Sequence, residues 1–449
     1  MSARASAAAL GVDASPARKS ATTLGADAST ARASAATFGV DAPAVRALTA
    51  EHGSPLWLAD LDHVRARLRE FRDAWAATWP DVAVAYSYKT NRLPAILRAL
   101  AEEGAGHEVV CEAEYALARD AIGAAGPDIV VNGPAKPEAL LSRAAADGAL
   151  VIVDCVDELE RLAIAGGRRA GLRVALPGIG VEPTRFGIAP SGVPAAVDRA
   201  RALGLHVEAL TAHLVSTGFD QPLASAPRLG SAITVRSPPA PDGHAHAAGL
   251  LGRLARELGI DAVDLGGGFP AAPAVAAHAE AVTRALRNEG FGGRLLLEPG
   301  RALVTDAVAL ACTVVAVKHL ADGTRCVVVD AGTNLLPGAL WAWPEIEALA
   351  GGPTEPALVS GPLCLNVDVL HPAAPLPAVA AGAVLLVRSV GAYQQAQSTR
   401  FGDLQPAVVA REDGRWRVCV RRETLEDLLA GDTEVALAGA PGSDEEEKP

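Results

Sequence analysis

From about residue 82 to residue 300 the chain repeats one pattern, a short apolar run followed by an Ala/Leu/Arg-rich stretch. The runs are VAVAYSY from Val82, HEVVC from His107, IVVNG from Ile129, ALVIVDC from Ala149, LRVALP from Leu172, VEALTAHL from Val207, AVDLGGG from Ala262 and RLLLEPG from Arg294. The intervals, such as Pro94 to Gly104, Pro137 to Asp147 and Ala195 to Leu203, read as helices. Eight strands alternating with helices predict an α/β fold built on a parallel barrel. The polar residues of interest follow the runs, at the strand C-terminal ends where barrels place chemistry.

After Arg301 the texture becomes β-rich: ALVTDAVALACTVVAVK, TRCVVVDAG, AVLLVRSVGAY, QPAVVARED and RWRVCVRRE. This predicts a second, all-β domain, whose first strand comes from SPLWLAD ahead of the barrel. The expected organisation is a first strand within 44–60, a barrel over 61–303 and a β domain over 304–440, with the break near 301 to 306. Residues 1–43 carry a 14-residue repeat (Arg4, Arg18, Arg32; Gly11, Gly25, Gly39; Asp13, Asp27, Asp41). Its apolar positions are nearly all Ala and each unit contains a Gly, which opposes a coiled coil, so it reads as a low-complexity, disordered extension. Residues 441–449 read as an acidic tail.

Composition narrows the function classes. Of the 449 residues half are hydrophobic, enough for a large core and too many for a wholly disordered chain. The net charge is −12, from 40 Lys+Arg against 52 Asp+Glu, which argues against nucleic acid or an anionic membrane as partner. No run of about 18 apolar residues is long enough to span a bilayer, and the N-terminus lacks the apolar core of a signal peptide. The six cysteines form no CxxC pair, so they read as reduced thiols of a cytoplasmic protein.

Five separated segments carry candidate chemistry. Lys89 closes the first barrel run in YSYKTN; desolvation there would lower its pKa and make it a better imine-forming nucleophile. HLVSTG offers His213, an imidazole able to stack on a flat group, and Ser216, a hydroxyl for an anion. DLGGGFP places Gly266, Gly267 and Gly268 after a strand, where backbone N–H groups approach a phosphate. LEPGR holds Glu298 and Arg301, suited to a cationic ring nitrogen and a phosphate, or to each other. The β-rich part holds Asp330 in DAGTNLLP, Cys364 and Asp368 in GPLCLNVD, and Tyr393 in VGAYQQ. Each segment alone has a bland reading as a strand-end cation, a core histidine or a turn.

In this order, from Gly53-Ser54-Pro55 through Pro406, the segments resemble the fold type III pyridoxal-phosphate (PLP) decarboxylases, the diaminopimelate, ornithine and arginine decarboxylase family. GHEVVCEAE, NGPAKPEAL, VDCVDELE and TRFGI add to the resemblance. It implies an alanine-racemase-like barrel followed by a β domain, and PLP as cofactor. It implies that Lys89 forms the Schiff base and that His213 stacks on the ring. Ser216, Gly266 to Gly268, Arg301 and Tyr393 would hold the phosphate, and Glu298 would pair with the ring nitrogen. Glu108 and Glu114 match acidic positions beside the cofactor. Cys364 matches a cysteine that reaches the partner's site in a head-to-tail homodimer and, like the released Lys89, can reprotonate Cα after CO2 loss through a quinonoid. A carboxylate at the ring nitrogen strengthens the electron sink, which favours decarboxylation over racemisation. No metal is implied.

The departures concern the substrate more than the cofactor, Val215 being the one beside the phosphate loop. Leu365 stands where an Asp or Glu usually follows the reactive cysteine and contacts a distal amino group. Leu336 stands where diaminopimelate decarboxylases carry an Arg for the distal carboxylate, and Val215 replaces the usual Gly of HxGS. The C-terminal segments resemble decarboxylases of siderophore and other specialised pathways. Asp330, Asn366, Gln394, Gln395, Gln397 and Arg400 are then substrate-side candidates, Arg400 for a carboxylate. The alternatives are a PLP racemase or epimerase, separated by its product, and a non-catalytic regulatory binding protein, which would have lost the Lys or the phosphate ligands. A barrel metal hydrolase would need clustered ligands, and His244 and His246 read as a solvated pair in a Pro/Gly-rich loop.

Overall fold

The computed structural model describes residues 39–176, 184–214 and 240–432. The repeat up to residue 38, the acidic tail, Val215 and Ser216 lie outside the described residues. A helix, Ala42–His52, begins within the last residues assigned to the extension, its N-terminus closed by Asp41, whose carboxylate accepts from Ala44 N at 2.7 Å.

The first strand, β1 (Leu56–Asp60), is apolar and wholly buried. Asp60 ends it and caps the next helix, Leu61–Ala76, by accepting from His63 N at 3.1 Å. That helix buries Leu61, Val64, Leu68, Phe71 and Trp75, a 3-4-3-4 spacing that places one stripe against the barrel. Eight parallel strands then close the barrel: β2 (Val82–Ser87), β3 (Gly106–Val109), β4 (Ile129–Val131), β5 (Leu150–Val153), β6 (Arg169–Arg173), β7 (His206–Thr211), β8 (Ala262–Asp264) and β9 (Arg294–Leu297). Closure is made by β2 on β9, with Val84 opposite Leu297. Each predicted run supplies one strand; β6 begins three residues earlier than its run suggested. Inside the barrel, Ala85, Val130, Leu150, Ile152, Ala209 and Leu296 form a small core of their own.

The predicted break holds a short helix, Arg301–Val304, and one turn of 3-10 helix, Thr305–Ala307. The β sheet follows: β10 (Val308–His319), β11 (Arg325–Val329), β12 (Glu345–Ala348), β13 (Glu355–Ser360), β14 (Val369–Leu376), β15 (Val384–Arg388), β16 (Val408–Glu412) and β17 (Arg415–Val420). Its nine strands include β1, which lies between β10 and β16, antiparallel to the first and parallel to the second. Three strands, β12 to β14, were not expected. The sequence EIEA of β12 is short and acidic, and Pro356, Pro372 and Pro375 interrupt β13 and β14. Proline is tolerated in β14 because it is an edge strand, and Pro356 lies at the start of β13, ahead of its pairing with β11 at Leu358 to Ser360. No described helix is long and apolar enough to cross a membrane.

The barrel and the sheet meet tightly at one loop. Asn91 Nδ2 donates to Gly391 O at 2.9 Å, and Tyr393 N–H donates to Thr90 O at 2.9 Å. A methyl at Gly391 would lie 1.8 Å from Val304 O, so only glycine allows this approach. Gly391→Ala is expected to destabilise the chain by about 1–3 kcal/mol, through backbone shifts at this seam. Urea unfolding would show a lowered midpoint at unchanged slope; an unchanged midpoint would show that the seam yields freely.

Candidate active site

The C-terminal strand ends bring one polar residue after another around the barrel rim. Lys89 lies in the 3-10 turn Tyr88–Thr90 after β2, and Glu108 lies within β3. Asn132 follows β4, Asp154 follows β5 and Arg173 ends β6. His213 follows β7, Asp264 ends β8 and Glu298 follows β9. A cavity of about 420 Å³ opens among them, lined by Lys89, Glu108, Asn132, Arg173, His213 and Glu298 with Gly266 and Phe186.

Lys89 Nζ donates to both oxygens of the buried Glu108, at 2.9 and 2.7 Å. Its side chain is 34% exposed, so the ammonium stays reachable from the cavity. Burial alone would lower its pKa, as anticipated, but the charges of Glu108 and then Glu298 outweigh burial and the pKa is raised. This corrects the expected direction: the amine is held protonated by its carboxylate neighbour.

Glu298 is buried and accepts from Asn132 Nδ2 at 2.7 Å. Burial, then the charges of Asp264 and Glu108, push its pKa well up, with Lys89 opposing. Burial also raises Asp264 to about 6, while its Oδ1 accepts from Gly266 N at 2.8 Å. Asp264 Oδ2 is buried, with the Thr211 hydroxyl and the Glu298 carboxyl as its side-chain neighbours among the described residues. One proton carried by the Glu298 carboxyl and shared with Asp264 fits this arrangement, since two adjacent carboxylates do not both ionise in a buried site.

His213 Nδ1 accepts from Gly267 N at 3.1 Å. Burial first, then the charges of Lys89 and Arg173, hold its pKa well below the usual range, so the ring is neutral with its proton on Nε2. Gly266 adopts φ +58°, and a methyl there would lie 2.5 Å from His213 Nδ1. The glycine loop thus passes directly under the imidazole. Arg301 opens its short helix, its pKa lowered by burial with Tyr393 opposing. Tyr393 interacts electrostatically with both Lys89 and Arg301, and holds φ +59°, a costly conformation for a bulky residue.

Other candidates lie elsewhere. Cys364 and Asn366 are exposed, and Cys364 is not among the residues lining the Lys89 cavity. Asp368 is buried and pins their turn, accepting from Thr333 N at 2.7 Å and Leu363 N at 2.8 Å. Glu114 accepts from Val110 N at 2.9 Å, a backbone cap. Asp330 accepts from Thr313 N at 2.7 Å. Gln394 accepts from Gly338 N at 2.8 Å, and Gln397 is exposed. Arg400 was expected to be open to a carboxylate; instead both its Nε and Nη2 engage Glu423. The reading of His244 is also corrected: it is buried in the helix Pro241–Leu258. Its run GHAHAAGLLGRLAREL has helical apolar spacing that the flanking Pro and Gly obscured.

Asp264 was not singled out, and two further site residues were missed. Arg173 sits 3.6 Å from Asp154 and 4.3 Å over the Phe186 ring. Asn132 holds Glu298. Both stand in quoted segments, at strand C-terminal ends, and that position was the available signal.

These residues fit pyridoxal phosphate: an amine at the mouth, a carboxyl proton to share with a ring nitrogen, a neutral ring to cover a face, and a glycine loop with a cation for the phosphate. Residues 61–305 match the family described as pyridoxal-dependent decarboxylase, pyridoxal binding domain. A diaminopimelate decarboxylase of Deinococcus radiodurans is 31% identical over 397 residues, covering 85% of this chain and 96% of that one. One from Actinosynnema pretiosum subsp. auranticum is 33% identical over 421 residues, covering 85% and 89%. The crystal structure of diaminopimelate decarboxylase from M. jannaschii in complex with L-lysine superposes with a TM-score of 0.77 at 24% identity, covering 87% and 94%. A closed barrel with a strand-end lysine and an appended β sheet defines a class of cofactor enzyme. Within it, this chain belongs to the fold type III PLP-dependent decarboxylases: its cofactor is pyridoxal phosphate and it is an amino-acid carboxy-lyase.

Glu108 sets the protonation of Lys89, and this can be measured. Glu108→Gln removes the largest raising influence while burial remains, so the Lys89 pKa is expected to fall. The amine then becomes free at lower pH, and the pH profile of cofactor capture by apoprotein, followed by visible absorbance, shifts to lower pH. A shift to higher pH would contradict the pairing.

Proposed function

We propose that this decarboxylase acts on an amino-acid group whose distal end is not the free carboxylate of diaminopimelate or the free amine of ornithine, and that the group is carried on a larger conjugate of the siderophore or specialised-metabolite kind. The observation that carries this reading is Leu336. It is 1% exposed, packed into the core where the resemblance calls for an arginine. A carboxylate delivered there would be buried without its cation, at a cost of several kcal/mol. Leu365, 43% exposed, likewise offers no acid to a distal ammonium. A second, mostly apolar cavity of about 460 Å³, lined by Arg301, Gly338, Trp343, Arg388 and Gln394, gives room for a bulkier group.

When bound, the cofactor takes up the electron pair that departing CO2 leaves at the substrate α-carbon. The protein residues prepare that step. Lys89 presents the amine, and its proton rests with Glu108 as partner. Glu298 would hold the ring nitrogen and supply it a proton, and the Asn132 amide, 2.7 Å away, would stabilise the carboxylate so formed. A protonated ring nitrogen would favour decarboxylation over racemisation. Neutral His213 would lie against the ring without adding a competing charge. Cys364 of the partner subunit returns a proton to the α-carbon in a head-to-tail homodimer. The exposed Leu340, Trp343, Leu365, Val367 and Phe401 support such an interface, since exposed large apolar side chains mark contact surfaces. All six cysteines are free, which supports a reducing, cytoplasmic setting.

A CO2-release panel tests the substrate. Carboxylated conjugates are expected to exceed free meso-diaminopimelate and ornithine by roughly 100-fold or more in kcat/KM, the rate equivalent of one unmatched buried charge. Mass spectrometry would identify the product. Equal or faster release from free diaminopimelate overturns the substrate assignment, and loss of optical activity without CO2 would favour the racemase.

A further inference from the structure

The helix Pro241–Leu258 delivers a residue to the glycine loop that the mechanism above does not use. His244 lies in its first turn, fully buried. The ring stacks on Phe269, with centroids 4.1 Å apart and planes 22° from parallel. Phe269 in turn packs edge-on against Trp75 at 5.2 Å, and His278 meets His244 edge-on at 5.2 Å. An aromatic block from three helices therefore stands behind the loop.

The polar edge of His244 is specific. Its Nε2 lies 3.2 Å from Gly267 O. A carbonyl only accepts, so Nε2 carries the hydrogen. Nδ1 is buried with no partner among the described residues. Burial holds the pKa at about 4, with the Gly267 carbonyl opposing and His278 adding to the shift. The position in a helix first turn also disfavours a positive charge. The ring is thus a neutral, single-donor group, and an apolar side chain would fill the same space without leaving Nδ1 orphaned.

The donor pays for itself at one glycine. Gly267 is gripped on both of its backbone polar groups: its N–H by His213 Nδ1 at 3.1 Å and its C=O by His244 Nε2 at 3.2 Å. The peptide that joins Gly267 to Gly268 is planar and trans, so its C=O and N–H point in opposite directions. Drawing the carbonyl back to the helix turns the Gly268 N–H away from it. Gly268 holds φ +89°, open to glycine, so without that anchor the loop has wide conformational freedom.

We propose that His244 is a positioning residue for the cofactor phosphate: its Nε2–H anchors the Gly267 carbonyl and thereby aims the Gly268 N–H at the phosphate. The proposal rests on the glycine loop being the phosphate site. It assigns His244 no contact with cofactor or substrate, and it separates His244 from a ring that merely fills the core.

Full-length apoprotein titrated with pyridoxal phosphate and with pyridoxal, which lacks the phosphate, tests it through the visible absorbance of the bound aldehyde. His244→Phe keeps the stack on Phe269 and removes the donor. It is expected to weaken pyridoxal phosphate about tenfold, the effect of one hydrogen bond, and pyridoxal less than about twofold. His244→Gln retains a donor and should recover most of the phosphate-specific affinity. His244→Met, also without a donor, replaces the Phe variant if that fails to fold. Parallel weakening of both aldehydes, or an unchanged affinity for pyridoxal phosphate, overturns the proposal. Wild-type apoprotein with no preference for pyridoxal phosphate over pyridoxal would instead sink the phosphate assignment of the loop, and His244 with it.

Discussion

The ion pair between Lys89 and Glu108 is the constraint around which the rim of the barrel is arranged. Glu108, Asp264 and Glu298 are buried carboxylates on β3, β8 and after β9, strands that lie on either side of β2, from whose end Lys89 projects. Buried like charges repel strongly, so the three carboxylates do not all ionise, even with the Lys89 ammonium and the Arg173 guanidinium at the same cavity. Glu298 resolves the conflict by holding a proton, and its raised pKa is the imprint of that choice. The same crowding that strains the site leaves the Glu298 carboxyl holding a proton at the barrel mouth.

The parallel barrel makes this inevitable once the residues are chosen. Adjacent parallel strands end at the same level, so residues at the ends of β8, β9, β2 and β3 face one mouth. The Tyr393 end of the site draws on both lobes. Tyr393 belongs to the loop after β15, yet Gly391 and Asn91 bind that loop to the turn that carries Lys89. The strand β1, which precedes the barrel in sequence, completes the β sheet and helps fix the second lobe against the first. Interactions formed across that seam thus hold the Lys89 turn and Tyr393 in a common frame.

Most of the barrel was legible because its strands are short, apolar and evenly punctuated by helices, and Lys89, His213 and Glu298 were legible because they end such runs. The rest was hidden for identifiable reasons. The strands β12 to β14 carry acid or proline where β-propensity rules expect Val or Ile; β12 and β14 lie at edges, and Pro356 stands at the start of β13, ahead of its pairing with β11. Asn132 and Arg173 act through partners brought by other strands, which no local pattern reveals. The direction of the Lys89 pKa depends on two carboxylates 19 and 209 residues away in sequence, so burial alone gave the wrong sign. Arg400 is a free cation only until Glu423 folds beside it.

The two halves of the site differ in what holds them. Cofactor-side groups sit at the ends of barrel strands, and each is fixed by a neighbour one to three strands away: Lys89 by Glu108, Glu298 by Asn132, His213 by Gly267. Altering one leaves a buried charge or donor unpaired, which costs about 1–3 kcal/mol or more. Substrate-side positions lie on the loops of the β domain. Leu336 packs apolar and Leu365 faces solvent, and neither supports another site residue. Such positions exchange a charge for a leucine with little damage to the fold. The described cofactor-side residues are thus densely cross-braced, whereas Leu336 and Leu365 stand where a change of side chain disturbs few neighbours.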